Sequence, residues 1–305
     1  MLKRLSQSGL ALLTRFLQFF KHLNLKTLAA LIRRAAYHRL PGLSAEIAYN
    51  AIFALFPAAL AVLSAIGLFE ISEANFGTLT NQLGQVIPEQ ASILTQESLR
   101  YLRAKSNQGL FSLSFLASIW ISSSVTGATM AALDQIYRIP RDRVRPFWQA
   151  KLVALALALG TFLLLVVALL IIFITDIAVQ IVAYRSGSFA HSLFYLWQLL
   201  SLPIALSIVT LALGFIYRHG TSHWQHGRPI MPGAILAALL WAMLSGLLRF
   251  YVSRVGNFNQ VYGAIGAVII LLLWLYLSAF SMLLGGLVNS VVGEAMQRKL
   301  ERKRN

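Results

Sequence analysis

Long apolar stretches separated by short charged ones set the pattern of this chain. The most extended runs over residues 255–293, 39 positions without a charged side chain, and stops at Glu294 and a basic tail. Its centre, Ala267 to Leu277, is almost pure Ile, Leu and Val around Trp274 and Tyr276. About 20 apolar residues cross a bilayer as a helix, so this segment spans with turns to spare. Five further runs share the signature. Together they predict spanning helices over 47–69, 110–133, 152–175, 193–217, 230–252 and 262–292. The predicted fold class is all-α: a polytopic membrane protein built as a bundle of about six transmembrane helices.

The same pattern divides the chain in three. Residues 1–45 form a basic amphipathic segment, 46–293 a six-span membrane domain, and 294–305 a basic tail. In the first, Leu10, Leu13, Leu17 and Phe20 fall at helical spacing, while Arg15 and Lys21 interrupt any apolar core. This predicts a helix lying on the membrane face, not a cleaved leader. The connection 70–109 is the long external one. Leu79, Leu83 and Val86 on one side of Pro88, and Ile93, Leu94, Leu99 and Leu102 on the other, predict two short amphipathic helices, packed as a lid in preference to a partner-binding surface.

Composition changes the picture in one respect, through charge. A hydrophobic content of 58% with only 12% charged residues and a mean hydropathy of +0.69 fits a membrane domain with no room for a large soluble enzyme. A net charge of +16 would suggest nucleic acid in a soluble protein. Here 20 of the 26 Lys and Arg residues lie on the N-terminal segment, the tail and the connections of one side, with six on the other. The positive-inside rule then places both termini in the cytoplasm. The implied partner is the bilayer itself, with anionic lipid at the basic N- and C-terminal segments; nucleic acid is not expected. Self-association into a homo-oligomer stays open. With no cysteine, disulfides and thiolate metal sites are excluded.

Candidate chemistry is sparse. Glu46 opens the first span four residues before Asn50, so the two share a helix face. Pro57 follows and is expected to kink that helix, as is Pro203 in the fourth span. A carboxylate, an amide and a kink suit an ion or proton path; equally, Glu46 suits an interfacial first turn. Asp134 is read as an ion-pair member with the arginines that follow it. Ser122 and Ser123 in the second span, Asn257, Asn259 and Gln260 before the sixth, and Asn289 within it complete a candidate polar pathway. The stripes Ser123–Gly127–Ala131, Ser124–Ala128–Ala132 and Ser281–Gly285–Asn289–Gly293 are better explained by close helix packing in lipid. His219, His223 and His226 share a Gly-broken turn without a carboxylate, so no metal site is expected. Neither a phosphate loop nor a hydrolase motif occurs, and no catalytic residue or cofactor is predicted.

Several segments together resemble the YihY/virulence factor BrkB family of bacterial inner-membrane proteins, formerly called ribonuclease BN. They are Ala45-Glu46-Ile47-Ala48-Tyr49 with Leu55-Phe56-Pro57; Ile136-Tyr137 with Arg145-Pro146-Phe147-Trp148; and Pro232-Gly233-Ala234. The most specific is Tyr262-Gly263-Ala264-Ile265-Gly266-Ala267, leading to Trp274-Leu275-Tyr276 and Gly285-Gly286-Leu287-Val288-Asn289. Asn50 and Ala54 depart from the residues usual in that family. The resemblance implies a multipass inner-membrane protein with a role in transport or in envelope and lipid maintenance. A non-transporting structural or partner-binding protein is the alternative, and a ribonuclease is disfavoured.

Overall fold

A computed structural model describes residues 25–68, 108–164, 167, 190–223, 230–254 and 258–304. The amphipathic pattern at 10–20, nearly all of the external connection and the end of the third predicted span fall outside these residues. Seven helices are described: α1 Leu25–Tyr37, α2 Leu40–Leu68, α3 Gln108–Ile136, α4 Phe147–Leu164, α5 Ala190–Gly220, α6 Met231–Arg254 and α7 Phe258–Arg304. A 3-10 turn, Arg141–Arg143, precedes α4. Helices α2 to α7 cover the six predicted spans where these are described, and no strand occurs among the described residues.

The helix ends follow local rules. After α3 the backbone turns left-handed at Arg138, with φ 54°. The N–H of Arg138 donates to the Gln135 carbonyl at 3.1 Å and that of Ile139 to the Asp134 carbonyl at 2.9 Å. These paired bonds satisfy carbonyls that the helix itself leaves open. Arg39, at φ 52°, ends α1 in a similar left-handed turn. Glycine usually fills such positions, and a residue with a Cβ costs about 1–2 kcal/mol there. Pro41 stands in the first turn of α2, where its missing N–H removes no helical bond. Helices α2 and α5 run unbroken through Pro57 and Pro203, so each proline removes one backbone bond without ending its helix. The Pro203 carbonyl accepts from the Ser207 hydroxyl at 2.7 Å.

Helix α7 is the hub. Ala279, Leu283, Leu287 and Val291 pack with Leu40 and Ile47 of α2, Leu133 and Ile136 of α3, Tyr217 of α5 and Ala234 of α6. Leu31 of α1 covers Val288 and Val292. The contributing segments are the N-terminal parts of α2 and α6 and the C-terminal parts of α3 and α5. Neighbouring helices therefore alternate in direction, and among the described residues the core gathers where these segments meet.

Elsewhere the helices turn large apolar side chains outward, among them Leu152 and Phe162 of α4, Leu202 of α5, Met243 of α6 and Ile269 of α7. Lipid tails are the natural surroundings for such faces. Among the described residues, Phe147–Leu164, Leu199–Gly220, Met231–Arg254 and Ile265–Gln297 are each long and apolar enough to cross a membrane. The protein is thus an all-α multipass membrane protein. At 47 residues, α7 extends about 70 Å, more than twice the hydrocarbon thickness. The sequence pattern sets a basic tail apart at 294; the helix carries straight on to Arg304 because nothing in 294–304 breaks it.

Candidate functional site: a polar-keyed helix end

The first turn of α6 begins Met231-Pro232-Gly233, and its exposed backbone groups need partners. A side chain from another helix supplies them. Asn289 of α7 accepts from the Gly233 N–H at 2.8 Å and donates through Nδ2 to the Ile230 carbonyl at 2.8 Å. Glycine is required for this approach. A Cβ on Gly233 would stand 2.3 Å from the Gly285 carbonyl oxygen, and one on Gly285 would stand 2.4 Å from that of Gly233. Backbone meets backbone here, so neither position can yield. Next to it, the Tyr217 hydroxyl of α5 donates to the Met282 carbonyl of α7. The Ser290 hydroxyl donates to the Ile136 carbonyl, at the end of α3, at 3.1 Å.

A second cluster ties α3, α4 and α5. Asp134 is buried, and its carboxylate accepts from the Ser222 N–H at 2.7 Å and from the Ser222 hydroxyl at 2.5 Å. The same hydroxyl accepts from the Arg145 N–H at 3.2 Å. The Arg145 guanidinium donates to the His219 carbonyl at 3.3 Å and to the Gly220 carbonyl at 3.4 Å, capping α5 at the end where its dipole favours a cation. Asp134 was expected to pair with the arginines after it. Instead it binds a backbone N–H and a hydroxyl 88 residues away, because the left-handed turn at Arg138 carries the chain off after α3.

A third key lies between α1 and α7. Arg34 donates to both carboxylate oxygens of Glu294, at 3.0 and 2.6 Å. The neighbouring His38 has its Nε2 atom buried without a hydrogen-bond partner. Burial, then Arg138 and then Arg34 hold its pKa below the ordinary 6.5, with Glu294 acting weakly the other way. Deeper along α6 and α7, Trp241 donates to Ser278 at 3.0 Å and Trp274 to Ser245 at 3.1 Å.

The candidate pathway residues do not share one place. Glu46 is exposed on α2, and the Asn50 amide donates to the Glu46 backbone carbonyl at 2.9 Å. Ser123 is buried and donates to the Trp120 carbonyl of its own helix. Asn289 belongs to the α6–α7 key. Asn257 and the side chains of Ser122, Asn259 and Gln260 lie outside the described residues. The small-residue stripes part ways. That on α7 is buried throughout, and on α3 Ala132 is buried with Ala128 packed against the core, whereas a Cβ at Gly127 would meet nothing and Ala131 is exposed. His219 turns Nδ1 toward the Phe215 carbonyl, His223 is exposed, and His226 falls outside the described residues.

Residues quoted for the family resemblance serve several ends. Arg145 caps α5, Trp274 bonds Ser245, and Tyr276 stacks on Phe280. Gly266 is buried in α7, while Tyr49, Pro146 and Trp148 are exposed. Gly263 lies on the first turns of α7; the side chains of Tyr262 and Pro57 are outside the described residues. Ser222, Ser290 and Tyr217 were missed. Their partners are 65 to 154 residues distant, and no local pattern marks them.

Comparison with known proteins agrees with this architecture. The chain is 27% identical over 267 residues to a protein named ribonuclease-like, YfkH of Bacillus subtilis (strain 168), covering 87% of this chain and 94% of that one. It is 28% identical over 269 residues to a UPF0761 membrane protein of Xanthomonas axonopodis pv. citri (strain 306), covering 83% of this chain and 58% of the relative. A UPF0761 membrane protein of Stenotrophomonas maltophilia (strain K279a) is 27% identical over 253 residues, covering 81% of this chain and 56% of the relative. The chain therefore spans little more than half the length of these last two. No solved structure matches. The sequence profile described as virulence factor BrkB matches residues 31–305, and the chain belongs to that family.

Proposed function

We propose that this protein is transporter-like, acting in transport or in envelope and lipid maintenance at the bacterial inner membrane, with the keyed end as its cytoplasmic gate. One observation carries the reading: among the described residues, interhelical hydrogen bonds key α1, α3, α5, α6 and α7 together where their ends meet. They run from the helix ends at Asp134, Ser222, Gly233 and Glu294 to mid-depth at Ser245 and Trp274. Beyond Ser245, α6 turns Leu247, Phe250 and Tyr251 outward. A carrier that opens alternately to two sides needs one end locked while the other yields. The clustering of Lys and Arg supports a cytoplasmic position for the locked end and for both termini, and the alternating helix directions support six crossings. Glu46, Asn50, Ser122, Ser123, Asn257, Asn259 and Gln260 are the candidates to line the path, with Asn289 closing it. The basic terminal segments rest on anionic lipid.

A second reading is a non-transporting scaffold. The Gly233–Gly285 contact favours it, since backbone packed this closely is suited to permanence. The ribonuclease-like name of YfkH is not carried over. Metal-assisted phosphodiester cleavage needs clustered acidic ligands, and the ten Asp and Glu of this chain are scattered. Flux measured in proteoliposomes separates the readings. Wild-type protein passes protons or another ion faster than empty vesicles, and Glu46→Gln slows it. Wild-type flux equal to that of empty vesicles defeats transport and leaves the scaffold. The absence of cysteine allows a direct topology check: Arg141→Cys is labelled by a membrane-impermeant maleimide only from the cytoplasmic side.

A further inference from the structure

We propose that the connection from Arg138 to Trp148 is a binding site for the headgroup of an anionic phospholipid. Three exposed guanidiniums, on Arg138, Arg141 and Arg143, stand within six residues. The one carboxylate of the stretch, Asp142, is itself exposed and 3.9 Å from Arg143 Nε, which leaves a positive surplus. Phe147 and Trp148 follow at 72% and 75% exposure, their rings edge to face at 5.4 Å. Below Trp148 on the same face of α4 come Leu152, Leu159 and Leu163, also exposed. Their spacing from Trp148 by four, seven and four residues makes one continuous apolar stripe.

That stripe fixes depth. Large apolar side chains on the outside of a spanning helix sit among lipid tails, so the two rings above them lie at the interface, where tryptophan is favoured. The arginine turn is then one step further out, at the level of lipid phosphates. It is also held in place. The paired bonds after α3 fix Arg138, the Arg143 N–H donates to the Pro140 carbonyl at 2.9 Å, and Arg145 is tied to α5. A prearranged cluster loses little freedom on binding, and guanidinium forks match phosphate oxygens in pairs. Phosphatidylglycerol fits because its headgroup carries no cation. The amine of a zwitterionic lipid would meet the arginines unfavourably. The site is distinct from the terminal basic segments and does not depend on transport.

The test uses the full chain purified in mild detergent, with lipid retention read by native mass spectrometry. The wild type is expected to retain phosphatidylglycerol at least about tenfold better than phosphatidylcholine of the same acyl chains, since each basic residue near the surface adds appreciable attraction. The triple variant Arg138→Gln/Arg141→Gln/Arg143→Gln should lose this preference. A variant with Arg249→Gln and Arg254→Gln, at the other end of α6, should keep it. All five side chains are exposed, so the variants should remain monodisperse. Equal phosphatidylglycerol retention by the triple variant overturns the proposal. Displacement of the lipid by millimolar inorganic phosphate alone also overturns it, because the site would then take free anion.

Discussion

Along α7, residues 265–273 put Ile265, Val268, Ile269, Leu272 and Leu273 on the surface, whereas positions 279–293 are mostly buried. Neither half holds a charge. They differ in side-chain size and in polar groups that reach a neighbour. The buried half contains Ser281, Gly285, Gly286, Asn289, Ser290 and Gly293; the exposed half contains branched aliphatics. Lipid is as apolar as leucine, so hydrophobicity alone gives a helix no reason to leave it. Close approach and satisfied polar groups do. The buried half of α7 accordingly sets small and hydrogen-bonding residues among Leu283, Leu287 and Val288, and the half without such residues turns its aliphatics out.

The sharpest way to break this contrast is to put bulk into the buried half. Gly285→Leu drives a Cβ to 2.4 Å from a backbone carbonyl and 2.6 Å from the Ala237 methyl. No rotamer relieves that contact. Helices α6 and α7 must separate, at about 3 kcal/mol or more, and the protein should fail to elute as a single species by size exclusion. Gly246→Leu, on the outward part of α6, adds a Cβ with nothing within 4 Å. It should express and elute like the wild type. Equal outcomes for the two variants would mean that this crossing does not hold the bundle together.

A smaller effect isolates the polar component from the steric one. Asn289→Ala removes no backbone contact but strands the Gly233 N–H, while the Ile230 carbonyl keeps the Ala234 N–H at 3.2 Å. Stranding buried polar groups costs about 1–3 kcal/mol each. A loss of about 1–3 kcal/mol is expected, read as a lower thermal unfolding midpoint in detergent. Were Asn289→Ala as stable as the wild type, the first turn of α6 would not depend on α7.

Much of this was legible in the sequence, for identifiable reasons. Spanning helices follow from uninterrupted apolar length, a property of local sequence, and α5 and α6 sit within a few residues of the predicted ranges. The helical end of α7 was hidden because its charged last turns read as a tail, although charge alone does not stop a helix. The packing role of the Ser281–Gly293 stripe is readable from spacing, as is that of Ala128 and Ala132 on α3; in the parallel α3 stripe the same spacing leaves Gly127 with open space beside it and Ala131 exposed. Asp134 is the clearest miss. Its neighbours in sequence are arginines and its partner is Ser222, a pairing set by how the ends of α3 and α5 meet. Asn289 stands out in the sequence as polar, but its partners are backbone atoms at the start of α6, which carry no mark there.

The smallest predicted effect concerns α1, which adds a charged layer to the buried half of α7. His38 sits in the turn after α1, and burial together with Arg138 and Arg34 keeps its pKa below 6.5. The unfolded chain takes up a proton near the ordinary value, whereas folded His38 resists it. Any stability tied to this group is therefore full above about pH 6.5 and declines as the pH falls below it. The turn should loosen in mild acid, exposing α1 to trypsin at Arg33 sooner at pH 5.5 than at pH 7.5 once protease activity is normalised. His38→Gln has no proton to gain and should flatten the difference. Glu294→Gln removes the neighbour that favours protonation, along with one partner of the Arg34 ion pair, so it should weaken the attachment at both pH values. An unchanged pH difference in His38→Gln would assign the acid sensitivity to some other group and leave the α1–α7 key resting on Arg34 and Glu294.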